Sequence, residues 1–245
     1  MNPLNLTDLH AIADRSAFDF GSVIELADED GFIGAGADLS TATLLNAYRT
    51  GVFPWFSAGD PICWWCPPIR CVINPNDFRP AKSLIRTAKK SNWQISTNLA
   101  FDEVMRACAE PRAYTDETWI VDEMIDAYTR LHELGVAFSV EVWADTPKDS
   151  ELLGGLYGLQ LGSLVCGESM FHRRTDASKI AFWAMTALAK HAGVQLIDCQ
   201  LENPHLMSLG ASLLPKDDFL AQIHTLNRTD TPHIHGRMAV QDLAL

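Results

Sequence analysis

The spacing of apolar residues predicts helices in four segments of the chain. Along each segment, apolar positions are three or four residues apart, which places them on one side of a helix. Asp38 or Ser40 can cap the first helix, Gly51 ends it, and Gly193 stops the last one. The predicted segments are 40–51, 101–109, 120–134 and 176–192.

Alternating or short apolar runs predict strands around the last of these helices. Residues 137–143 alternate as a strand does, and residues 152–171 predict a hairpin that turns near Gly162. Residues 194–201 form a short apolar run that predicts a buried strand. The order strand, hairpin, helix, strand predicts an α+β sheet with a helix packed across it.

The first part of the chain has a different composition. Residues 52–75 are dense in aromatic residues and prolines, so they cannot form a long helix. The prolines at positions 67 and 68 mark a candidate boundary. A chain of 245 residues is long enough for two unequal domains. We predict a small N-terminal domain over 1–68 and a larger domain over 69–245.

The chain is acidic overall but contains one basic segment. Its net charge of −12 argues against a protein that coats nucleic acid with its whole surface. Residues 78–101 contain no acidic residue, and their five cations leave −17 for the rest of the chain. On a helix these cations would share an arc of about 100°. A solvated helix face is one interpretation, and an anionic partner is the one that we favour. The five cations are Arg79, Lys82, Arg86, Lys89 and Lys90.

Neither a secreted nor a membrane protein is indicated. The N-terminus has no basic start followed by an apolar core, and the most apolar run, residues 180–189, is too short to span a bilayer. Six cysteines without a signal peptide predict free thiols in a cytoplasmic protein. Cys63 and Cys66 form a CxxC motif with Cys71 nearby, but no fourth ligand follows, so we expect no metal site.

Polar residues interrupt two apolar strands in the second half of the chain. In the predicted strand 194–201, Asp198 and Gln200 share one face because side chains alternate. Glu168 follows a glycine within another apolar strand. These residues either form a hydrogen-bonded pair that holds a loop or build a polar cluster that orients a nucleophile and takes up its proton.

Ten short motifs between residues 31 and 220 occur together in one order. In this order they resemble the bacterial leucyl/phenylalanyl-tRNA–protein transferase family. The motifs are FPWF (53–56), SAGDPICWWCP (57–67), TWI (118–120), LHELG (131–135), SVEVW (139–143), GGLYG (154–158), CGESMF (166–171), ASK (177–179), LIDCQ (196–200) and SLGA (208–211).

The resemblance implies an enzyme that moves leucine or phenylalanine from aminoacyl-tRNA to the N-terminal amine of proteins that begin with Arg or Lys. The added residue would mark these acceptors for N-end-rule degradation. A larger domain similar to the GCN5-related N-acyltransferase fold is implied, and no metal, nucleotide or coenzyme is needed as a cofactor. Leu-tRNA, Phe-tRNA and the acceptor proteins are the expected partners, no membrane is expected, and a monomer is the default assembly.

The resemblance also implies roles for the polar and aromatic residues. Asp198 and Gln200 would assist the attacking amine, with Asp198 polarising Gln200 and Glu168 holding the cluster. Because an amide is a poor base, Gln200 either accepts the proton or only orients the amine. Trp55 and Trp119 would receive the terminal adenosine of the tRNA on their flat faces.

Two further groups of residues would contact the aminoacyl-tRNA. Five apolar residues would form the pocket for the leucyl or phenylalanyl side chain, with core packing as the alternative for each. Four cations of the basic segment would contact the tRNA backbone. The pocket residues are Leu156, Val165, Phe182, Met185 and Ile197, and the cations are Lys82, Arg86, Lys89 and Lys90.

One departure and two rival functions qualify this interpretation. The family usually has GGDL where this chain has Ala37 in place of the second glycine. An acyl-CoA N-acyltransferase would need a glycine-rich turn before the helix 176–192, and the residues FHRRTDASK there contain no glycine. A tRNA-binding module without enzymatic activity would leave Glu168, Asp198 and Gln200 without a role.

Overall fold

The computed structural model describes residues 4–111 and 118–244. Within them the helices are α1 (Leu6–Ala13), α2 (Phe20–Val23), α3 (Thr41–Arg49), α4 (Lys82–Lys90), α5 (Phe101–Ala109), α6 (Asp122–Glu133), α7 (Ala177–Ala192), α8 (Pro204–Ser208) and α9 (Lys216–Leu226). Short 3-10 helices cover Ile24–Leu26 and Val240–Ala244. None of these helices is both long and apolar enough to cross a membrane.

The strands form two sheets of different size. They are β1 (Phe32–Ala35), β2 (Phe53–Pro54), β3 (Cys63–Trp65), β4 (Ile69–Ile73), β5 (Gln94–Thr97), β6 (Ala137–Trp143), β7 (Leu152–Leu161), β8 (Leu164–His172), β9 (Leu196–Asp198), β10 (Ser212–Pro215) and β11 (Arg237–Ala239). The small sheet has the order β1-β3-β2, and the large sheet has the order β10-β4-β9-β8-β7-β6-β5-β11. Among the described strands of the large sheet, β8 and β9 pair in parallel and the other neighbours pair antiparallel. The prediction of a mixed α+β fold is confirmed.

The elements with clear end signals are confirmed. The Ser40 side chain caps α3 by accepting a hydrogen bond from the backbone N–H of Thr43 at 3.3 Å. Gly193, with a φ of +84°, ends α7 in the left-handed conformation. Gly162 turns the hairpin of β7 and β8, where a Cβ would lie 2.5 Å from the carbonyl oxygen of Leu226. Helices α5 and α6 and strand β6 also lie where the pattern predicts them.

The predicted strand over 194–201 is wrong in its extent. Strand β9 covers only Leu196–Asp198, and Gln200 has a φ of +56°. A residue in the left-handed region cannot continue a strand. Asp198 and Gln200 are therefore not two positions on one face of the same strand.

The basic segment forms a shorter helix than the charge pattern suggests. Helix α4 begins at Lys82, and Arg79 lies before Pro80, where a proline disfavours helical backbone in the preceding residue. The Arg79 guanidinium instead donates hydrogen bonds to the carbonyls of Asn76 and Phe78. Four of the five cations thus lie on the helix.

The core has two parts, one on each face of the large sheet. One cluster contains side chains of α4 and α7, including Leu84 and Ile180. The other contains Val104 of α5 and Met124 of α6 together with Leu44 of α3. Because this second cluster joins residues from both sides of Pro68, the division into 1–68 and 69–245 stays a prediction.

Ala37 has an unfavourable backbone conformation. Its φ is +60°, in the left-handed region where a Cβ costs about 1–2 kcal/mol relative to glycine.

We expect Ala37→Gly to stabilise the fold. The relief of backbone strain is partly offset by the greater freedom of glycine in the unfolded chain, which leaves a net gain of about 0.5–1 kcal/mol. Urea unfolding would measure this gain. Ala35→Gly, in strand β1, is the matched control, and it should lower stability because Ala35 is not strained. Equal effects of the two substitutions would contradict the strain at Ala37.

Candidate active site

The large sheet opens between β8 and β9. The two strands pair from Leu164 with Leu196 to Cys166 with Asp198. Beyond this point β8 continues beside β7, whereas the chain after β9 turns away at Gln200. A cavity of about 810 Å³ fills the opening and is lined by residues 167–172 on one side and 199–201 on the other.

A β-bulge places Glu168 at this opening. In the ladder between β7 and β8, Tyr157 pairs with Ser169 and Gly158 pairs with Gly167, so Glu168 is the extra residue. A Cβ at Gly158 would lie 2.4 Å from the carbonyl oxygen of Cys166, which explains the glycine opposite the bulge. The bulge directs the Glu168 side chain to the cavity, which it lines.

Gln200 and Glu168 meet across the opening. The Nε2 of Gln200 donates a hydrogen bond of 3.0 Å to Oε1 of Glu168. The Tyr128 hydroxyl lies 3.5 Å from the other carboxyl oxygen, and it is also hydrogen-bonded to the hydroxyl of Tyr48. The sequence alone places both tyrosines among the apolar positions of their helices, so only the structure brings them to the site.

The surroundings of Glu168 change its acidity. Burial raises the pKa of Glu168 to about 8, and the nearby Asp198 carboxylate acts in the same direction. Hydrogen bonds from Tyr48 and Gln200 and the charge of Arg70 act in the opposite direction without cancelling the effect. At neutral pH Glu168 is therefore mostly protonated, with a minor carboxylate form that can accept a proton.

Asp198 lies behind the cavity in a buried ion pair. Arg70 donates from Nε and Nη2 to the two carboxylate oxygens of Asp198, both at 2.8 Å, and the two side chains are 2% and 1% exposed. The remaining donor, Nη1, reaches the carbonyl of Gly51 at 3.0 Å. The rings of Phe53 and Phe219 lie 4.9 and 4.5 Å from the guanidinium carbon. Although burial disfavours its charge, Asp198 raises the pKa of Arg70.

Asp198 is hydrogen-bonded to the backbone of Gln200. Its Oδ1 accepts a hydrogen bond of 2.9 Å from the backbone N–H of Gln200. The carbonyl of Gln200 in turn accepts from the backbone N–H of Cys71 at 3.1 Å. Both bonds hold the left-handed backbone of Gln200, so Asp198 positions the amide through the main chain.

The predicted apolar pocket residues divide into two groups. Leu156 and Phe182 line the cavity. Val165, Met185 and Ile197 are fully buried, do not line it, and pack in the core cluster below Leu156 and Phe182. Core packing, the alternative considered for each, therefore describes these three residues. Phe53, Met170 and Leu206 line the cavity without having been predicted from the sequence.

Both predicted tryptophans line the cavity. Trp55 is 44% exposed and packs edge-on against Trp65, with ring centres 5.8 Å apart. The indole N–H of Trp65 donates to the carbonyl of Trp55 at 2.8 Å. Trp119 is partly exposed on the same cavity. A large aromatic side chain left open to solvent is suited to stacking with a flat ligand.

Helix α4 presents its cations to solvent near the cavity. Its buried side contains Leu84 and Ala88, and the side chains of Lys82, Arg86, Lys89 and Lys90 are exposed. The Thr87 hydroxyl donates to Oδ2 of Asp176 at 2.9 Å, and Oδ1 of Asp176 lies 3.5 Å from Nζ of Lys179. Lys179 lines the cavity, so these contacts connect α4 to the cavity wall.

The cysteines of the CxxC motif differ in environment. Cys63 is partly exposed and Cys66 is buried. Over residues 4–111 and 118–244, no three His, Cys, Asp or Glu side chains gather in a group that could hold a metal ion.

We expect Asp198→Asn to destabilise the protein by about 3–5 kcal/mol, because it leaves the Arg70 charge buried without a counter-ion. Urea unfolding at neutral pH would measure this loss. The double variant Arg70→Met/Asp198→Asn should lose less than Asp198→Asn alone, since no charge stays buried.

Asp102→Asn serves as the control for this prediction. It breaks the exposed pair of Arg106 and Asp102 at 2.9 Å and should cost less than about 1 kcal/mol. A double variant that is no more stable than Asp198→Asn would contradict the role of the unpaired charge.

Two sequence profiles and one solved structure are similar to parts of this chain. The sequence profile described as "Leucyl/phenylalanyl-tRNA protein transferase" matches residues 72–224, and the profile of the corresponding N-terminal domain matches residues 37–68. Among solved structures, that of FemX covers 71% of this chain and 66% of its own, with a TM-score of 0.47 and 14% identity.

Several curated relatives are similar over most of their length. A leucyl/phenylalanyl-tRNA–protein transferase of Psychrobacter cryohalolentis is 48% identical over 83% of this chain and 78% of its own. That of Chromobacterium violaceum is 50% identical over 81% of this chain and 83% of its own. The chain therefore belongs to the leucyl/phenylalanyl-tRNA–protein transferase family and is an aminoacyltransferase.

Proposed function

We propose that this enzyme transfers leucine or phenylalanine from aminoacyl-tRNA to the N-terminal α-amine of proteins that begin with Arg or Lys. The observation that carries the proposal is the hydrogen bond between Gln200 and Glu168 at the opening of the sheet. It places an amide and a carboxyl with a pKa near neutrality in a cavity that also has apolar and aromatic walls.

The reaction requires little activation of the donor, because an aminoacyl ester is already reactive. The amine nitrogen bonds to the ester carbonyl carbon, and the bond from that carbon to the ribose oxygen of the tRNA breaks. One proton leaves the amine, and one proton is gained by the ribose oxygen. The protein must therefore align the two substrates and handle a proton.

Gln200 is suited to orient the amine. Its Nε2 is held by Glu168, which leaves the amide oxygen to accept a hydrogen bond from the attacking amine. Asp198 accepts a hydrogen bond from the backbone N–H of Gln200, and Arg70 holds Asp198 in place. We assign Asp198 a positioning role, since its observed hydrogen bond reaches the main chain of Gln200.

Glu168 is a better proton acceptor than the Gln200 amide. An amide is a poor base, whereas the pKa of Glu168 is about 8, close to that of an N-terminal α-amine. The carboxylate form of Glu168 would accept the proton, and its side chain lines the cavity in which the amine would bind.

The apolar walls and the tryptophans would bind the donor. Leu156 and Phe182 would contact the leucyl or phenylalanyl side chain, and the buried residues Val165, Met185 and Ile197 would support them from below. Trp55 and Trp119 would stack on the terminal adenosine.

The wider biological statements rest on the family resemblance. We propose that the acceptors are marked for N-end-rule degradation, that the enzyme works as a monomer in the cytoplasm, and that its larger domain is of the GCN5-related N-acyltransferase type.

We expect Gln200→Ala to lower kcat by about 10²–10³-fold, because the amine loses the group that orients it. The assay follows labelled leucine or phenylalanine from tRNA to a peptide that begins with Arg. The same peptide with an acetylated N-terminus should receive no label. Gln195→Ala, at an exposed position before β9, is the matched control and should keep full activity.

Two results would contradict the proposed function. Transfer to the acetylated peptide would show that a primary amine is not the acceptor. Binding of tRNA without any transfer would favour a tRNA-binding module.

We expect the triple variant Lys82→Glu/Arg86→Glu/Lys89→Glu to bind tRNA more weakly and with a smaller salt dependence. Each phosphate contact that is lost lowers the slope of log affinity against log salt by about one, so the slope should fall by about three. Filter binding at several salt concentrations would measure this slope.

The matched control replaces Arg15, Arg130 and Lys148 with Glu, because these residues are exposed and lie outside α4. An equal loss of slope in both variants would contradict a specific role for α4.

A further inference from the structure

Three of the exposed apolar residues lie on chain segments that are hydrogen-bonded to one another, and one of the three lines the cavity. In the part of the chain that the structure describes, six large apolar side chains are exposed. Ile69 and Leu213, which are 46% and 39% exposed, lie on the neighbouring strands β4 and β10, and Leu201, which is 43% exposed, follows the turn after β9. We call these three residues the apolar patch. The other exposed apolar residues are Phe18, Leu26 and Trp55.

Strand pairing brings the apolar patch together around Cys71. Leu213 pairs with Cys71 from β10, and Ile69 lies two residues before Cys71 on the same face of β4. On the other side of β4, the backbone N–H of Cys71 donates to the carbonyl of Gln200, which directly precedes Leu201. Backbone hydrogen bonds therefore connect the three segments that carry the apolar patch, from β10 across β4 to the residue before Leu201.

The apolar patch is continuous with the cavity. Leu201 lines the cavity and also belongs to the patch. Neighbouring strands are about 4.8 Å apart, so the patch extends about 10 Å from Leu201 to β10. An extended polypeptide covers this distance with about three residues.

We propose that the apolar patch binds the acceptor polypeptide at the residues that follow its N-terminus. This inference rests on the proposed function, which places the N-terminal amine of the acceptor at Gln200. A chain that begins there must leave the cavity, and the patch provides a path that starts at Leu201. Residues two to four of the acceptor would lie on it.

The charges beside the apolar patch define which acceptors it suits. Glu202 follows Leu201, Asp217 and Asp218 lie in the first turn of α9, and all three side chains are exposed. Lys216, which directly follows β10, is only 20% exposed, and its Nζ lies 3.8 Å from a carboxyl oxygen of Glu25. Acidic residues at acceptor positions two to four would be repelled, whereas apolar residues would gain contact area. The preferred acceptor thus has apolar residues after its first position.

A second copy of the chain is a weaker candidate for the same surface. A stable interface between proteins uses about 20–30 residues from each side. The apolar patch has three residues, which suits a short peptide segment better.

The test compares three acceptor peptides that begin with Arg and differ at positions two to four, where they carry leucine, serine or aspartate. With the unmodified enzyme, we expect kcat/KM to fall about five- to tenfold from leucine to serine and again from serine to aspartate, mainly through KM. The double variant Ile69→Ser/Leu213→Ser should lose the preference for leucine over serine and keep its activity on the serine peptide. Phe18→Ser is the control, since it removes an exposed aromatic residue outside the patch and should retain the full preference.

The outcomes separate this inference from the proposed function. Label on all three peptides with equal kcat/KM would overturn the inference and leave the proposed function intact. A double variant that keeps the preference for leucine would overturn it as well. No label on any peptide would overturn both. Sedimentation that shows a dimer of the unmodified enzyme and a monomer of the double variant would assign the patch to self-association instead.

Discussion

The buried ion pair between Arg70 and Asp198 is the interaction on which the site depends. Its guanidinium has partners for all three nitrogens, one of them the carbonyl of Gly51, and two aromatic rings lie against it. These contacts come from the N-terminal part of the chain, from β4 and β9, and from α9. Because a charge buried without its partner is costly, the three regions must stay together beneath the cavity.

The same ion pair keeps Gln200 in a conformation that opens the sheet. A left-handed residue other than glycine costs about 1–2 kcal/mol, and the hydrogen bonds to Asp198 and Cys71 offset this cost. The left-handed backbone of Gln200 coincides with the point at which β9 ends and the cavity begins.

The cavity walls influence both binding and acid–base chemistry. Apolar side chains such as Leu156 and Phe182 form the surface on which we place the donor side chain. The burial that accompanies these walls also raises the pKa of Glu168 to about 8. The bulge in β8 directs this carboxyl to the opening beside Gln200.

The sequence alone determined the elements that depend on short-range patterns. Helical spacing and glycines at the ends predicted α3, α5, α6 and α7 and the hairpin at Gly162, because these signals act over a few residues. The motifs also singled out Glu168 and Gln200, which the structure brings together. Only the tertiary structure decided that Arg70 pairs with Asp198, 128 residues away, and that Val165, Met185 and Ile197 lie beneath the cavity and not on its wall. The partners of a buried side chain come from remote segments, so local spacing does not determine them.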